Sequence, residues 1–199
     1  MKVTERTGII KVLLSVALLF SCSAVMAQTD MDPVKWNSSG TETDGKSFLT
    51  RTDTMIVLTL EATGLVPGDA HTLWWVVFNN PGECATFPCS PADLGNPDVS
   101  AAIGNASGNV AKSDGTIEFG GRLVRGGDDA ATGHQVLFSS GGSGSLLTAS
   151  SGDDDAEVHL VIQTHGQARG GKKLREQLSM VGVNCTPSCE DVQFAIHVP

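Results

Sequence analysis

The stretch His71-Thr72-Leu73-Trp74-Trp75-Val76-Val77-Phe78 decides the fold class. It is apolar at odd and even positions alike and rich in β-branched and aromatic residues, the composition of a strand. Successive side chains of a strand leave opposite faces, so an extended segment apolar at both parities needs cover on each side. This segment is therefore expected at the centre of a sheet. Trp74 and Trp75 must point to opposite faces. One belongs to the core; the other is either core as well or a ligand-binding platform for a sugar or an aromatic molecule.

Neighbouring segments extend the same reading. Thr54-Met-Ile-Val-Leu-Thr-Leu-Glu-Ala62 reads as a strand closed by a turn at Val66-Pro-Gly-Asp69. Asn109-Val-Ala-Lys112 and Thr116-Ile-Glu-Phe119 flank Ser113-Asp-Gly115 and predict a hairpin. His134 to Phe138 is a shorter strand, and Ala156 to His165 is long, β-branched and a second inner strand. Asp191 to Val198 alternates strictly, which predicts Val192, Phe194, Ile196 and Val198 on one buried face. Helix is scarce. Lys172 to Met180 places Leu174 and Leu178 one turn apart, and Pro97 to Ile103, capped by Asn96, is a second short candidate. Residues 139–155 are a low-complexity Gly/Ser/Asp loop in which Leu146 and Leu147 are the anchoring residues. Few segments have the length of a crossover helix. The expected fold is all-β: a single-domain antiparallel β-sandwich of about seven or eight strands with one or two short helices.

The chain opens with Lys2, Arg6 and Lys11 ahead of the apolar run Val12 to Phe20, which reads as a signal peptide over residues 1–27 cleaved after Val25-Met-Ala27. The apolar stretch falls short of the roughly 20 residues that span a bilayer, so no transmembrane segment is expected in the mature chain. Leu19-Phe-Ser-Cys22 gives an alternative, a lipoprotein anchored through Cys22, although Phe20 is bulky for that position. The expected location is exported, periplasmic or secreted. Residues 28–53 are read as an N-terminal extension and 54–199 as the β-sandwich domain. Loss of the leader removes three basic residues and one acidic residue, taking the net charge from −9 to −11. A nucleic-acid partner is excluded on that charge, because phosphate binding needs concentrated Lys and Arg.

Cys22 belongs to the leader, which leaves Cys84, Cys89, Cys185 and Cys189 in two tight pairs. Four cysteines permit three connectivities, and local pairing is favoured by spacing. A loop of about six residues gains roughly 2 kcal/mol in the chain-entropy account against nearly 5 for about 100 residues, so local bridges are clamps on irregular loops. Neither pair has the two-residue knuckle of a structural zinc site, and no Cys-x-x-Cys is present for thiol exchange.

Imidazoles offer a copper or zinc reading. If Ala156–His165 pairs with the last strand so that His165 faces Asp191, His159 faces His197, and the two become joint ligands with Glu157, His71 or His134 completing the set. Asp128-Asp129 and Asp153-Asp-Asp155 lack the spacing of an EF-hand loop and read as solvated turns. Neither Gly-x-Ser-x-Gly nor His-Glu-x-x-His occurs, so no catalytic residue is assigned.

At Trp74 to Cys89, at Ala156 to Gly166 and at Cys185 to His197 the chain resembles a group of uncharacterised exported bacterial proteins sharing WWVVFNNPxxC and AEVHLVxxTHG. The resemblance runs from about Thr54 onward. It implies a bacterial origin, an all-β domain and no established activity, and it transfers no catalytic residue. Three functions follow in order: a non-enzymatic exported binding or envelope-interaction module without cofactor; a periplasmic copper- or zinc-binding protein using His159 and His197; and an enzyme of unrecognised type.

Overall fold

Met55-Ile-Val-Leu-Thr-Leu-Glu-Ala62 alternates in sequence and in burial: Ile56, Leu58, Leu60 and Ala62 are buried while Val57, Thr59 and Glu61 face out. That one-sided burial sets one wall of the core. The structure, a computed structural model, describes residues 27–128, 136–140, 145–148 and 156–199. The leader with Cys22, and Asp129, His134 and Asp153–Asp155, lie outside the described residues.

The described residues form nine strands, β1 (Gln28–Trp36), β2 (Glu42–Arg51), β3 (Met55–Ala62), β4 (Asp69–Phe78), β5 (Ala101–Val110), β6 (Ile117–Val124), β7 (Val136–Ser139), β8 (Glu157–Gln167) and β9 (Glu190–His197), and one α-helix, α1 (Lys172–Gln177). They form one sheet in the order β6-β3-β2-β1-β9-β8-β4-β5-β7, every ladder antiparallel. The sheet coils into a half-barrel, so that its two halves face each other as the layers of a β-sandwich. Val34, Leu49, Leu58 and Leu60 from one half share a core with Leu73, Trp75, Val77, Leu160 and Ile162 from the other. The layers touch where Trp75 meets Gly121 of β6: a Cβ at Gly121 would stand 2.9 Å from the indole Cζ2. The missing side chain makes room for the ring.

β4 is buried on both faces, as its composition requires. Trp75 points into the core and Trp74 to the outer face, both nearly inaccessible. Four other expectations are corrected. Residues 28–51 are not an extension; they supply β1 and β2, which pair with β9 and β3. Ser113-Asp-Gly115 does form a tight turn, with Lys112 N–H donating to Thr116 O. The flanking strands separate, however, β5 pairing with β4 and β7 while β6 pairs with β3, so the turn is a corner between layers. Pro97 to Ile103 is no helix: a 3₁₀ turn forms earlier, at Pro91–Gly95, and β5 begins at Ala101.

The buried face of β9 is also the opposite of the one expected. Gln193, Ala195 and His197 are buried, while Phe194 and Ile196 are only half-buried on the outer face and Val192, at the irregularity against β8, is half-buried against the core. The inner positions tolerate polarity because most of their polar groups are bonded, Gln193 Oε1 being buried without a partner among the described residues. Gln193 donates to Thr63 O, and His197 sits between Ser47 and Asp30. Arg51, also inward, donates to Ala156 O, His197 O and Val198 O, tying β2 to the chain end.

Because β1 and β2 carry Val34, Leu49 and Arg51 into the shared interior, a chain beginning at Thr54 is expected not to fold. Removing them strips core contacts worth several kcal/mol from a domain whose whole stability is of order 5–15 kcal/mol. Thermal melting by circular dichroism should show no cooperative transition for this truncation; a melt like that of the chain beginning at Gln28 would restore the extension reading.

Candidate functional site

On the outer face, alternation along β8 presents Glu157, His159, Val161 and Gln163 beside Trp74, Val76 and Phe78 of β4. These two rows, with Ile103 of β5, floor a groove of about 340 Å3. Pro91 and Leu94 wall it from the loop of the first disulfide, Val181 from the loop before the second, and Leu137 from β7. The lining is mainly apolar, with His159, Gln163 and Asp191 as its polar members. That composition and size belong to small-ligand sites.

Both disulfides form as local bridges, Cys84–Cys89 and Cys185–Cys189. Each bridged loop is fixed to the sheet. In the first, Asp93 accepts from Ala85 N–H, Ser90 N–H and the Ser90 hydroxyl, which together hold its carboxyl below the usual range. Cys89, Val99 and Ala101 pack with Phe78 in a small second core outside the sheet, against which Leu94 leans. In the second loop, buried Gln177 donates to Gln167 O and Asn184 O and accepts from Arg169 N–H. Gly166, at φ 72°, lies so close to this loop that a Cβ there would meet Thr186 O at 1.9 Å.

His159 is the groove's ionisable floor residue, and its ring leans on Phe78 with centroids 4.9 Å apart. Nε2 stands 2.5 Å from Glu157 Oε1, which also accepts from Cys89 N–H at 2.7 Å. A carboxylate has no hydrogen to give, so Nε2 carries the proton and Nδ1 is the acceptor nitrogen of the neutral ring. Burial lowers the pKa of His159, against the opposing pull of Glu157. Trp74 is positioned by a chain of bonds: its indole N–H donates to Thr72 Oγ1, Thr72 bonds His165 Nε2, and His165 Nδ1 bonds Val183 O. The platform residue is thus braced by the second disulfide's loop.

The expected His159–His197 pair does not assemble. Val158 lies opposite His197 and His159 opposite Ile196, one residue from the assumed register, while beyond the irregularity at Ile162/Gln163 it is Gln163 that faces Asp191, two residues from it. A shift of one sends the two imidazoles to opposite faces. Glu157 reaches His159 as an orienting partner, and His71 lies apart, bonded to Asp69 O. His165, Cys185 and Cys189 cluster closely enough for a metal, but both sulfurs are committed to the disulfide.

Sequence reading missed a further constellation, Asp30, His197 and Ser47, drawn from three strands distant in the chain. Ser47 Oγ lies 2.7 Å from His197 Nε2, and His197 Nδ1 lies 2.9 Å from Asp30 Oδ2. The arrangement has the order of a nucleophile relay. Ser47 has no accessible surface, and its backbone runs in ladder between Asp32 and Leu60, so substrate has no approach. Its role is to close the seam where β1 and β9 pair over two residues only, a gap that Asp32 also bridges by accepting Ile196 N–H. Comparison with family models, curated proteins and solved structures finds no match to this chain.

His71, His159 and His165 all have lowered pKa values, in each case mainly through burial, and that of His71 falls to about 4. A group that resists protonation in the fold but not in the unfolded chain costs stability as pH drops below its unfolded value near 6.5, and the loss levels off below the folded value. His71 alone accounts for about 3 kcal/mol over that window. His71→Asn, which retains a donor for Asp69 O, should therefore show a clearly shallower loss between pH 7 and pH 4 in urea unfolding. An unchanged slope would contradict the assignment.

Proposed function

We propose that this chain is an exported, non-enzymatic binding module that takes a small, mainly apolar ligand in the outer groove of β4 and β8. The observation that carries the reading is the groove itself: about 340 Å3, floored by Trp74, Val76, Phe78 and Val161, with a single imidazole held by its bond to Glu157. Apolar cavities of this kind gain affinity from the area they bury and specificity from a few placed polar groups. Pre-organisation supports it as well, since the rim residues Pro91, Leu94 and Val181 sit in segments that adjoin the two disulfide-bridged loops, which lowers the ordering cost for the ligand to meet.

Export rests on the leader over residues 1–27, with the periplasm or the extracellular medium as destination, and attachment through Cys22 is its lipid-anchored variant. Oxidised local clamps are in keeping with that compartment. No described helix is long and apolar enough to cross a membrane.

The neutral dye N-phenyl-1-naphthylamine, which brightens in apolar sites, tests the groove in the chain beginning at Gln28. Saturable binding is expected, and Val161→Trp, which fills the floor between His159 and Gln163, should weaken it by at least about tenfold, the equivalent of some 1.4 kcal/mol. Equal affinity in a folded Val161→Trp variant would place the dye elsewhere and remove the proposal.

A further inference from the structure

We propose that His159 Nδ1 is the recognition atom of the groove and that its ligand is a neutral aromatic molecule bearing one hydroxyl, a phenol or naphthol in chemical class. This rests on the groove reading above and goes beyond it in naming the ligand's chemistry.

Glu157 is fully buried yet places both of its donors, Cys89 N–H and His159 Nε2–H, on the one oxygen Oε1. Its second oxygen, Oε2, is buried without a hydrogen-bond partner among the described residues. An under-compensated carboxylate behind an imidazole polarises the ring and makes the far nitrogen a stronger acceptor, the logic by which carboxylates tune ligating histidines. That far nitrogen, Nδ1, accepts no bond within the described residues, and His159 shows its accessible surface to the groove. An acceptor facing an apolar cavity favours a ligand that supplies a donor, because a bound ligand without one desolvates the nitrogen and gives nothing back.

The remaining properties follow from the walls. Trp74 and Phe78 are among the lining residues but keep only 3% and 1% of their surface accessible, so the contact they favour is with the edge of a ring. A cavity near 340 Å3 lies at the small end of ligand sites, which fits one or two fused rings. The charges at hand, Glu157 beneath and Asp191 at the rim, oppose an anion, and the mainly apolar lining makes a full positive charge costly to bury, so the donor belongs to a neutral molecule. A phenolic hydroxyl is a better donor than an aliphatic one and brings the ring with it.

Isothermal titration of the chain beginning at Gln28 with 1-naphthol and with 1-methoxynaphthalene separates the two levels of the argument. In the second a methyl group replaces the hydroxyl hydrogen, removing the donor while adding apolar area, and 1-naphthol is expected to bind about tenfold more tightly or better. Equal affinities would overturn the role of His159 while leaving the groove reading intact; binding of neither would overturn both. His159→Phe keeps a ring against Phe78 and removes the acceptor, so in a variant with a native near-ultraviolet spectrum the preference should fall to about one. A preference that survives would overturn the inference. Should that variant not fold, the wild-type comparison decides alone.

Discussion

The burial of β4 on both faces is the constraint from which the rest of the structure follows. A strand carrying Trp74 and Trp75 in succession presents large apolar surfaces in opposite directions, each worth several kcal/mol if removed from water. The inner one is satisfied by the shared core and by the space left at Gly121. The outer one cannot be covered by a second sheet, because the half-barrel has its concave side already filled. Cover comes instead from loops, and loops hold a surface only when they are themselves held. The two disulfides, the Asp93 hub and the Gln177 hub supply that restraint. The groove is what remains between two rims that approach β4 and β8 from separate parts of the chain.

Polar groups are distributed to match. Inside, Gln193, His197, Ser47 and Arg51 occupy positions where an apolar residue would have been expected, and all act at the seam where β1 and β9 barely pair. A sheet that closes through so short a ladder leaves backbone groups open, and side chains complete it. Outside, Glu157 and His159 form a buried acid–imidazole pair directed to the groove. The first set ties the barrel together and itself leaves Gln193 Oε1 without a partner among the described residues, whereas the second lies beside the groove that His159 lines. That placement, rather than histidine count, separates the structural imidazoles from the candidate functional one.

Much of the framework is legible in the sequence because burial follows local pattern in β3, β4 and β8. The all-β class, the inner placement of β4, the short helix α1 and the local disulfides all follow from composition and spacing. What is not legible has a common cause. β1 and the first half of β5, with Asp30, Asp32 and Ala101-Ala-Ile-Gly-Asn-Ala106, lack strand-like composition and are recruited by their neighbours. The faces of β9 invert because its inward polar residues find partners more than 100 positions away, which no local pattern encodes. The register of β8 against β9 around His159 lies one residue from the assumed one, and that single residue parts His159 from His197. Of the site, Trp74, His159 and Glu157 were visible as residues; their geometry was not. The period-two row Glu157, His159, Val161 and Gln163 is the signal from which the groove floor follows.

The central claim is that β4 divides a sealed core from a ligand-accepting outer groove. Intermolecular nuclear Overhauser effects between 1-naphthol and the labelled chain beginning at Gln28 test it most directly. The account predicts contacts to Trp74, Val76, Phe78 and Val161 and none to Trp75. Contacts to the exposed Met31, Phe48 and Val57 face in place of the groove would contradict it.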